Sequence, residues 1–331
     1  MQPTRRPLVV FTDDTIRPEA AALLAGTCDV RTLDAYPAER ELAAACVDAT
    51  AILARLGTVT AGVIAAAPKL RIVARHGAGV DAVDLDAATA RGVIVTTTGA
   101  GNAAAVAEYS FALLLALARK LPGADAGMRA GGWLRAPQVG IELDGGTLGI
   151  VGLGAIGRRV ARQALGFGMR VVAFDPALAA TPDPAIALVS FDALLAAADV
   201  VSVHARLTPA TARLFDARAF AAMKPTALFV NTARGEIVDE GALVAALAGG
   251  TLAGAALDTY AVEPLPADSP LRTFPNVVLS PHVAGQTGAA LTRVAVCAAQ
   301  SILDELAGRR PEFVYNPEAY AVRARGEGPA A

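Results

Sequence analysis

The stretch Thr147-Leu-Gly-Ile-Val-Gly-Leu-Gly-Ala-Ile-Gly-Arg-Arg-Val-Ala161 constrains the fold of this chain more than any other. An apolar run, three glycines spaced G-x-G-x-x-G (Gly152, Gly154 and Gly157) and a helix-forming continuation together demand a strand, a tight turn and a helix. In a chain with 31 glycines the spacing alone would carry little weight, so the context decides. The next apolar run, Val171-Val-Ala-Phe174, ends at Asp175, 18 residues beyond Gly157. Gly152 permits the turn, Gly154 lets the backbone approach a pyrophosphate, and Gly157 lets helix and strand pack closely, with the helix N-terminus facing the anion. Asp175 is placed to accept hydrogen bonds from adenosine ribose hydroxyls and to repel a 2′-phosphate. Pro176 and Ala177 follow it, with no arginine. The expected cofactor is NAD rather than NADP.

This unit belongs to a longer rhythm. Leu8–Phe11, Ala51–Leu53, Arg71–Ala74 and Val93–Thr96 read as strands, with helical segments at Glu19–Ala25, Glu39–Ala45, Thr60–Ala66 and Leu85–Ala90. A second series of strands follows: Leu148–Leu153, Arg170–Phe174, Val200–His204, Ala227–Asn231, Gly254–Leu257 and Val277–Leu279. The helices expected there are Val160–Gly166, Phe191–Ala197 and Gly241–Ala248. Alternating strands and helices imply parallel sheets covered on both faces, an α/β class with two doubly wound units. Asn102–Lys120, with Asn102 as N-cap, and Gln286–Leu306, ending at Gly308, read as junction helices. The tail from Arg323 is expected to be mobile.

Composition excludes several alternatives. With 331 residues, of which 54% are hydrophobic and 18% charged, the chain can bury a large core. A net charge of -2 gives no footprint for nucleic acid or an acidic membrane. The mean hydropathy of +0.46 comes from alanine, valine and leucine. The longest apolar run, Phe111 to Ala118, falls far short of the about 20 residues a spanning helix needs. No signal-peptide pattern opens the sequence. Cys28, Cys46 and Cys297 are scattered and odd in number, so they read as buried thiols in a reducing compartment, and the protein as cytoplasmic. No metal site is expected.

Only three histidines can supply a proton donor near neutral pH. His282, in Leu279-Ser-Pro-His-Val-Ala-Gly-Gln-Thr287, follows a strand at the edge where ligands bind in such folds. His204 and His76 read as structural or surface residues. Arg234, in Asn231-Thr-Ala-Arg-Gly235, follows a strand and can grip a carboxylate and a keto oxygen. Glu263, before Pro264, would orient one imidazole nitrogen of His282 and favour its protonated form. Asp258, at the end of another strand, would meet a nicotinamide carboxamide.

Together these motifs resemble the D-2-hydroxyacid dehydrogenase family, which includes D-3-phosphoglycerate dehydrogenases and hydroxypyruvate/glyoxylate reductases. The resemblance runs from about Ala51 to Tyr315. It includes Arg75-His-Gly-Ala-Gly-Val-Asp81, Val106-Ala-Glu108, Trp133, the glycine turn, His204–Thr211, Asn231–Gly235, Asp258–Pro264 and Ser280–Gly285. It implies an acid–base set of Arg234, Glu263 and His282, with the substrate carboxylate on the amides of Ala78 and Gly79 and a substrate contact at Arg55. It also implies cofactor contacts at Gly152, Gly154, Ala155, Ile156, Gly157, Asp175, Ala205, Thr232, Ala233, Asp258 and Gly285. The implied fold is a Rossmann NAD-binding domain, residues 102–287, inserted into a flavodoxin-like substrate domain made of residues 1–101 and 288–331. Catalysis is then expected in the cleft between them, in a homodimer without nucleic-acid or membrane partners. Three departures stand out: Asp81-Ala-Val-Asp84, His76, and Ala205-Arg-Leu in place of a proline-containing stretch. No regulatory domain is expected. The expected reaction joins a D-2-hydroxy acid to its 2-keto acid, with 3-phosphoglycerate or hydroxypyruvate/glyoxylate as leading substrates. The alternative is a non-enzymatic NAD(H)-sensing interaction protein on the same fold; a dehydrogenase for formate or phosphite ranks third.

Overall fold

The computed structural model describes residues 6–133, 135–181 and 183–326. The chain forms two compact units, Met1–Asn102 with Thr287–Ala331, and Ala103–Gln286.

The first unit holds β1 (Leu8–Phe11), α1 (Pro18–Leu24), β2 (Asp29–Thr32), α2 (Glu39–Cys46), β3 (Ala49–Ala54), α3 (Ala61–Ala66), β4 (Ile72–Arg75), α4 (Leu85–Ala90) and β5 (Ile94–Thr96). Its five strands are parallel in the order β2-β1-β3-β4-β5, the flavodoxin-like order. Thr60 and Asp84 start α3 and α4 by accepting from the amides of Val63 and Ala87. One face of the sheet packs on α2, α3 and α4 through Leu42, Val63, Ile64 and Ala88. The other packs on α1 and on a helix from the end of the chain through Leu24, Ala295, Ala298 and Ile302.

The second unit holds α5 (Ala103–Ala118), α6 (Leu121–Arg129), β6 (Thr147–Val151), α7 (Gly157–Gly166), β7 (Arg170–Phe174), β8 (Ile186–Leu188), α8 (Phe191–Ala197), β9 (Val200–Val203), α9 (Ala217–Ala222), β10 (Leu228–Asn231), α10 (Glu240–Ala248), β11 (Gly254–Leu257) and β12 (Val277–Leu279). Its seven parallel strands run β12-β11-β10-β9-β6-β7-β8, so the order reverses at β6 as in a Rossmann sheet. Helices cover both faces. Phe215, Phe220 and Phe229 pack edge-on or tilted under α8, α9 and α10, with centroids 4.9 to 6.1 Å apart. Phe111, Leu114, Val160 and Ala164 of α5 and α7 close the other face. No described helix is long and apolar enough to cross a membrane.

Local chemistry moves several expected boundaries. The helix expected over 102–120 forms as α5 and ends two residues earlier; Lys120 then takes a left-handed φ of 53°, and Pro122 lies in the first turn of α6. The edge strands β2 and β8 add to the strands expected from sequence: β2 reads Asp-Val-Arg-Thr and is largely exposed, and β8 has three residues. Cys28 and Cys46 are buried as expected, whereas Cys297 is only partly so.

The end of the chain corrects another expectation. α11 (Gly288–Leu306), capped by Thr287, leads to a return segment that pairs Val314 with Thr96, and then to α12 (Ala319–Ala324). Arg323, expected in a mobile tail, is anchored: its guanidinium donates to the carbonyls of Gly92 and Arg71 and ion-pairs with Glu305. Residues beyond Gly326 lie outside the described residues. Glu305, 2% exposed, also accepts from Arg71 Nη2 at 3.2 Å. Removing one member of a buried charge cluster strands the others, at a cost of about 3–5 kcal/mol. Glu305→Ala is therefore expected to unfold the first unit at lower urea, read by hydrogen exchange on β4 and β5, while β6 and β9 keep their protection.

Candidate active site

Because every strand in each sheet is parallel, the carboxyl ends of all strands share one edge, and the candidate residues fall there. In the second unit β6 delivers Gly152, β9 His204 and Ala205, β10 Thr232 to Arg234, β11 Asp258, and β12 Ser280 to His282.

The glycine turn is built as its spacing requires. Gly152 has φ +93°, and a Cβ there would lie 2.6 Å from the Ala205 amide nitrogen. A Cβ on Gly157 would lie 2.2 Å from the Gly152 carbonyl oxygen. A Cβ on Gly154 would meet nothing within 4 Å, so the space above the start of α7 is open. No side chain caps that helix start, where Ala155 and Ile156 precede Gly157. Asp175 accepts from the Leu153 amide at 2.9 Å and the Ala177 amide at 3.0 Å, which fixes its carboxylate beside the turn. Arg206, two residues after His204, is exposed, and its carbonyl accepts from Thr211 Oγ1.

Arg234, Glu263 and His282 lie on three loops of this edge. His282 Nδ1 lies 2.8 Å from Glu263 Oε2. Glu263 Oε1 accepts from the Tyr260 amide at 3.1 Å. Partial burial pushes the Glu263 carboxyl up, but the His282 hydrogen bond and charge, the Tyr260 amide and the Arg234 charge more than reverse this and hold it below the usual carboxylate range. Arg234 is half-buried and its Nη1 donates to the Ala233 carbonyl at 2.7 Å. Asn231 braces this loop from below: its side chain donates to the Arg234 carbonyl and accepts from the Ala233 amide, both at 2.9 Å.

Asp258 follows β11 at this same edge. It is fully buried, and its carboxylate accepts from Ser280 Oγ at 2.6 Å, the Val283 amide at 2.9 Å and the Ala284 amide at 2.8 Å. Three of about four acceptor positions are thus taken by the turn that carries His282. Gly285 closes that turn. Thr232 is buried against Ser110 of α5, Oγ to Oγ at 2.7 Å. Asn231, Tyr260 and Ser280 lie inside the motifs of the resemblance but are not singled out by it as site residues, and Ser110 carries no mark in the sequence; each acts by bracing another residue.

In the first unit, Arg55, Ala78 and Gly79 lie at the carboxyl ends of β3 and β4. The amides of Ala78 and Gly79 have no acceptor among the described residues. Arg75 pins this loop, donating to the carbonyls of Gly79, Ala54 and Arg55. Arg55 ion-pairs at 3.3 Å with the fully buried Asp13. His76 is buried behind it.

Residues 111–284 match the family described as D-isomer specific 2-hydroxyacid dehydrogenase, NAD binding domain. The D-3-phosphoglycerate dehydrogenase of Mycobacterium tuberculosis is 46% identical over 309 residues, which is 92% of this chain and 58% of that protein. The chain thus spans little more than half the length of such relatives. A solved structure from Thermus thermophilus superposes with a TM-score of 0.87 at 38% identity, covering 93% of this chain and 99% of that one. The NADPH-dependent glyoxylate/hydroxypyruvate reductase of Sinorhizobium meliloti gives 0.84 at 29% identity, covering 95% and 99%. The chain belongs to the D-isomer specific 2-hydroxyacid dehydrogenase family.

A nicotinamide dinucleotide suits the NAD-binding domain of this family member, because the turn leaves open space at Gly154 and an uncapped helix start at the same point. A side chain at Gly154 would fill that space without disturbing the protein. Gly154→Ala is therefore expected to fold normally and to bind NADH at least about tenfold more weakly in a fluorescence titration, a loss of about 1.4 kcal/mol.

The two remaining histidines are held neutral, His76 buried and His204 partly so. Burial pushes His204 down to about 3; burial and the Arg55 charge take His76 down to about 4. His204 Nε2 faces Ser202 Oγ at 2.9 Å, while its Nδ1 is buried without a partner among the described residues. Both folded values lie below the ordinary 6.5, so the unfolded chain binds more protons as pH falls. The stability is complete above about pH 6.5 and declines toward pH 4 and 3, by up to about 1.4 kcal/mol per pH unit for each histidine. In urea titrations between pH 7 and 5, His204→Asn should show a flatter decline than the parent.

Proposed function

We propose that this chain interconverts a D-2-hydroxy acid and its 2-keto acid, with NAD as cofactor. The observation that carries the reading is the 2.8 Å hydrogen bond between His282 Nδ1 and Glu263 Oε2. A carboxylate held ionised at Nδ1 places the proton on that nitrogen and leaves Nε2 to exchange a proton with a substrate oxygen. In keto-acid reduction His282 gives its Nε2 proton to the carbonyl oxygen at C2; in alcohol oxidation it removes the hydroxyl proton. Glu263 orients the ring and balances the imidazolium. Arg234 grips the carboxylate and the C2 oxygen, polarising the carbonyl. Hydride exchange with C2 is the chemistry that a bound nicotinamide dinucleotide contributes.

The residues proposed to hold that cofactor are Gly152, Gly154, Ala155, Ile156 and Gly157 at the pyrophosphate, Asp175 at the adenosine ribose, and Ala205, Thr232, Ala233 and Gly285 along the strand ends. Asp258, which holds the His282 turn, is also proposed to meet the nicotinamide carboxamide. Asp175 favours NAD, since its carboxylate repels a 2′-phosphate. The amides of Ala78 and Gly79 are proposed to bind the substrate carboxylate, and Arg55 the rest of the substrate. The leading substrates are 3-phosphoglycerate and hydroxypyruvate or glyoxylate, in keeping with the names of the relatives. Self-association into a homodimer is also proposed, supported by the apolar side chains that 121–141 exposes: Leu121, Met128, Trp133, Val139 and Ile141.

The test follows NADH absorbance with hydroxypyruvate, glyoxylate, pyruvate and bulkier 2-keto acids, and NAD with 3-phosphoglycerate. One substrate should turn over far faster than the rest. His282→Ala should lower kcat on it by about 10²–10⁴-fold with NADH affinity unchanged. Full turnover in that variant would refute the assignment.

A further inference from the structure

Arg234, Glu263 and His282 stand on three loops, and the side chains of the last two are hydrogen-bonded to each other. Tyr260 touches all three loops. It is 6% exposed, on the turn after β11. Its amide donates to Glu263 Oε1 at 3.1 Å. Its hydroxyl lies 2.9 Å from the Ser280 carbonyl oxygen and 3.1 Å from that of Leu257, and accepts from the Ser280 amide at 3.1 Å. Ser280 is two residues before His282. On the remaining side, a Cβ at Gly235 would lie 1.8 Å from the Tyr260 carbonyl carbon, so the backbone next to Arg234 rests directly on the backbone of Tyr260.

We propose that Tyr260 is the positioning residue of this site: its backbone seats the Arg234 loop, its amide aims Glu263, and its hydroxyl straps the His282 turn to the end of β11. The inference rests on the assignment of those three residues to proton transfer and substrate binding. Tyr260 itself touches no reacting atom. The strap works because it is buried. No water competes for the hydroxyl, and its one proton and lone pairs are shared between the carbonyls and the amide of the two strand ends. Burial, then the nearby Asp258 and Glu263 carboxylates, push the phenol up to about 12, so the hydroxyl stays a donor across the working pH range. The hydroxyl is separable from the fold: the Ser280 amide has a second acceptor, the Leu257 carbonyl at 2.9 Å, which Tyr260→Phe leaves in place.

The experiment compares Tyr260→Phe with the parent and with His282→Ala. The Phe variant should lower kcat about tenfold on the best keto acid, the scale of one lost buried hydrogen bond expressed at the reacting groups. KM should change less than about threefold and NADH affinity less than about twofold. The low-field proton resonance of His282 Nδ1, seen in the parent, should broaden or vanish, and the pH profile of kcat/KM should shift with it. If the Phe variant does not accumulate folded, Tyr260→Met, which keeps bulk without a hydroxyl, takes its place with the same readouts. Parent-like kcat, or a lowered kcat with an unchanged resonance and pH profile, overturns the proposal. Full activity in His282→Ala overturns instead the functional reading beneath it.

Discussion

The candidate site hangs on one buried carboxylate. Asp258 has no exposed surface, and three donors from residues 280–284 converge on it, while its own carbonyl accepts from the His282 amide at 2.8 Å. His282 is thereby held at φ +53°, a left-handed conformation uncommon for residues other than glycine, though histidine adopts it more readily than most. Such a conformation persists only where the surroundings over-determine it. Here the determinant is a charge-assisted set of hydrogen bonds between the ends of two neighbouring strands, β11 and β12, rather than any property of the turn itself.

The same logic repeats along the edge. Parallel strands bring their carboxyl ends together, but they leave the loops beyond them free to diverge. Each loop is fixed by a small polar device: Asn231 under Arg234, Ser110 on Thr232, Asp175 across the glycine turn, and Arg75 across the Ala78–Gly79 loop. Glycine does the rest where backbones must touch, at Gly152 on Ala205, Gly157 on Gly152 and Gly235 on Tyr260. Each sheet supplies its own edge, and the polar devices fix the loops beyond it with accuracy.

This division explains which features are legible in a single sequence. The glycine turn and Asp175 announce themselves because their constraints are local: strand, turn, helix and acidic residue fall within one βαβ unit. Most central strands are legible for the same reason, as short apolar runs buried on both faces. The edge strands β2 and β8 are not, because exposure removes the apolar pattern. Glu263 and His282 are 19 residues apart on separate loops, and family resemblance rather than periodicity joins them. Asp258 is marked by its strand-end position, yet its buried role depends on a turn whose donors lie 22 to 26 residues further along the chain. Tyr260 and Ser280 carry no local signal. Arg323 sits in a polar tail by composition and is ordered through long-range bonds to Glu305, the Arg71 carbonyl and the Gly92 carbonyl.

The energetics of the acid–base pair follow from its exposure. The side chains of His282 and Glu263 are 49% and 37% exposed. A pair that open to water is screened, and attraction between its members cannot by itself hold the imidazole in place. The orientation must come from bonds that water does not reach: those of Asp258 to the turn and of Tyr260 to Ser280. The coupling between Glu263 and His282 then strengthens when ligands displace water from around the ring and the local dielectric falls. Positioning is thus carried by a buried framework of side-chain bonds, from the Asp258 carboxylate and the Tyr260 hydroxyl to the backbone and side chains of the turn, and the exposed pair depends on that framework for its orientation.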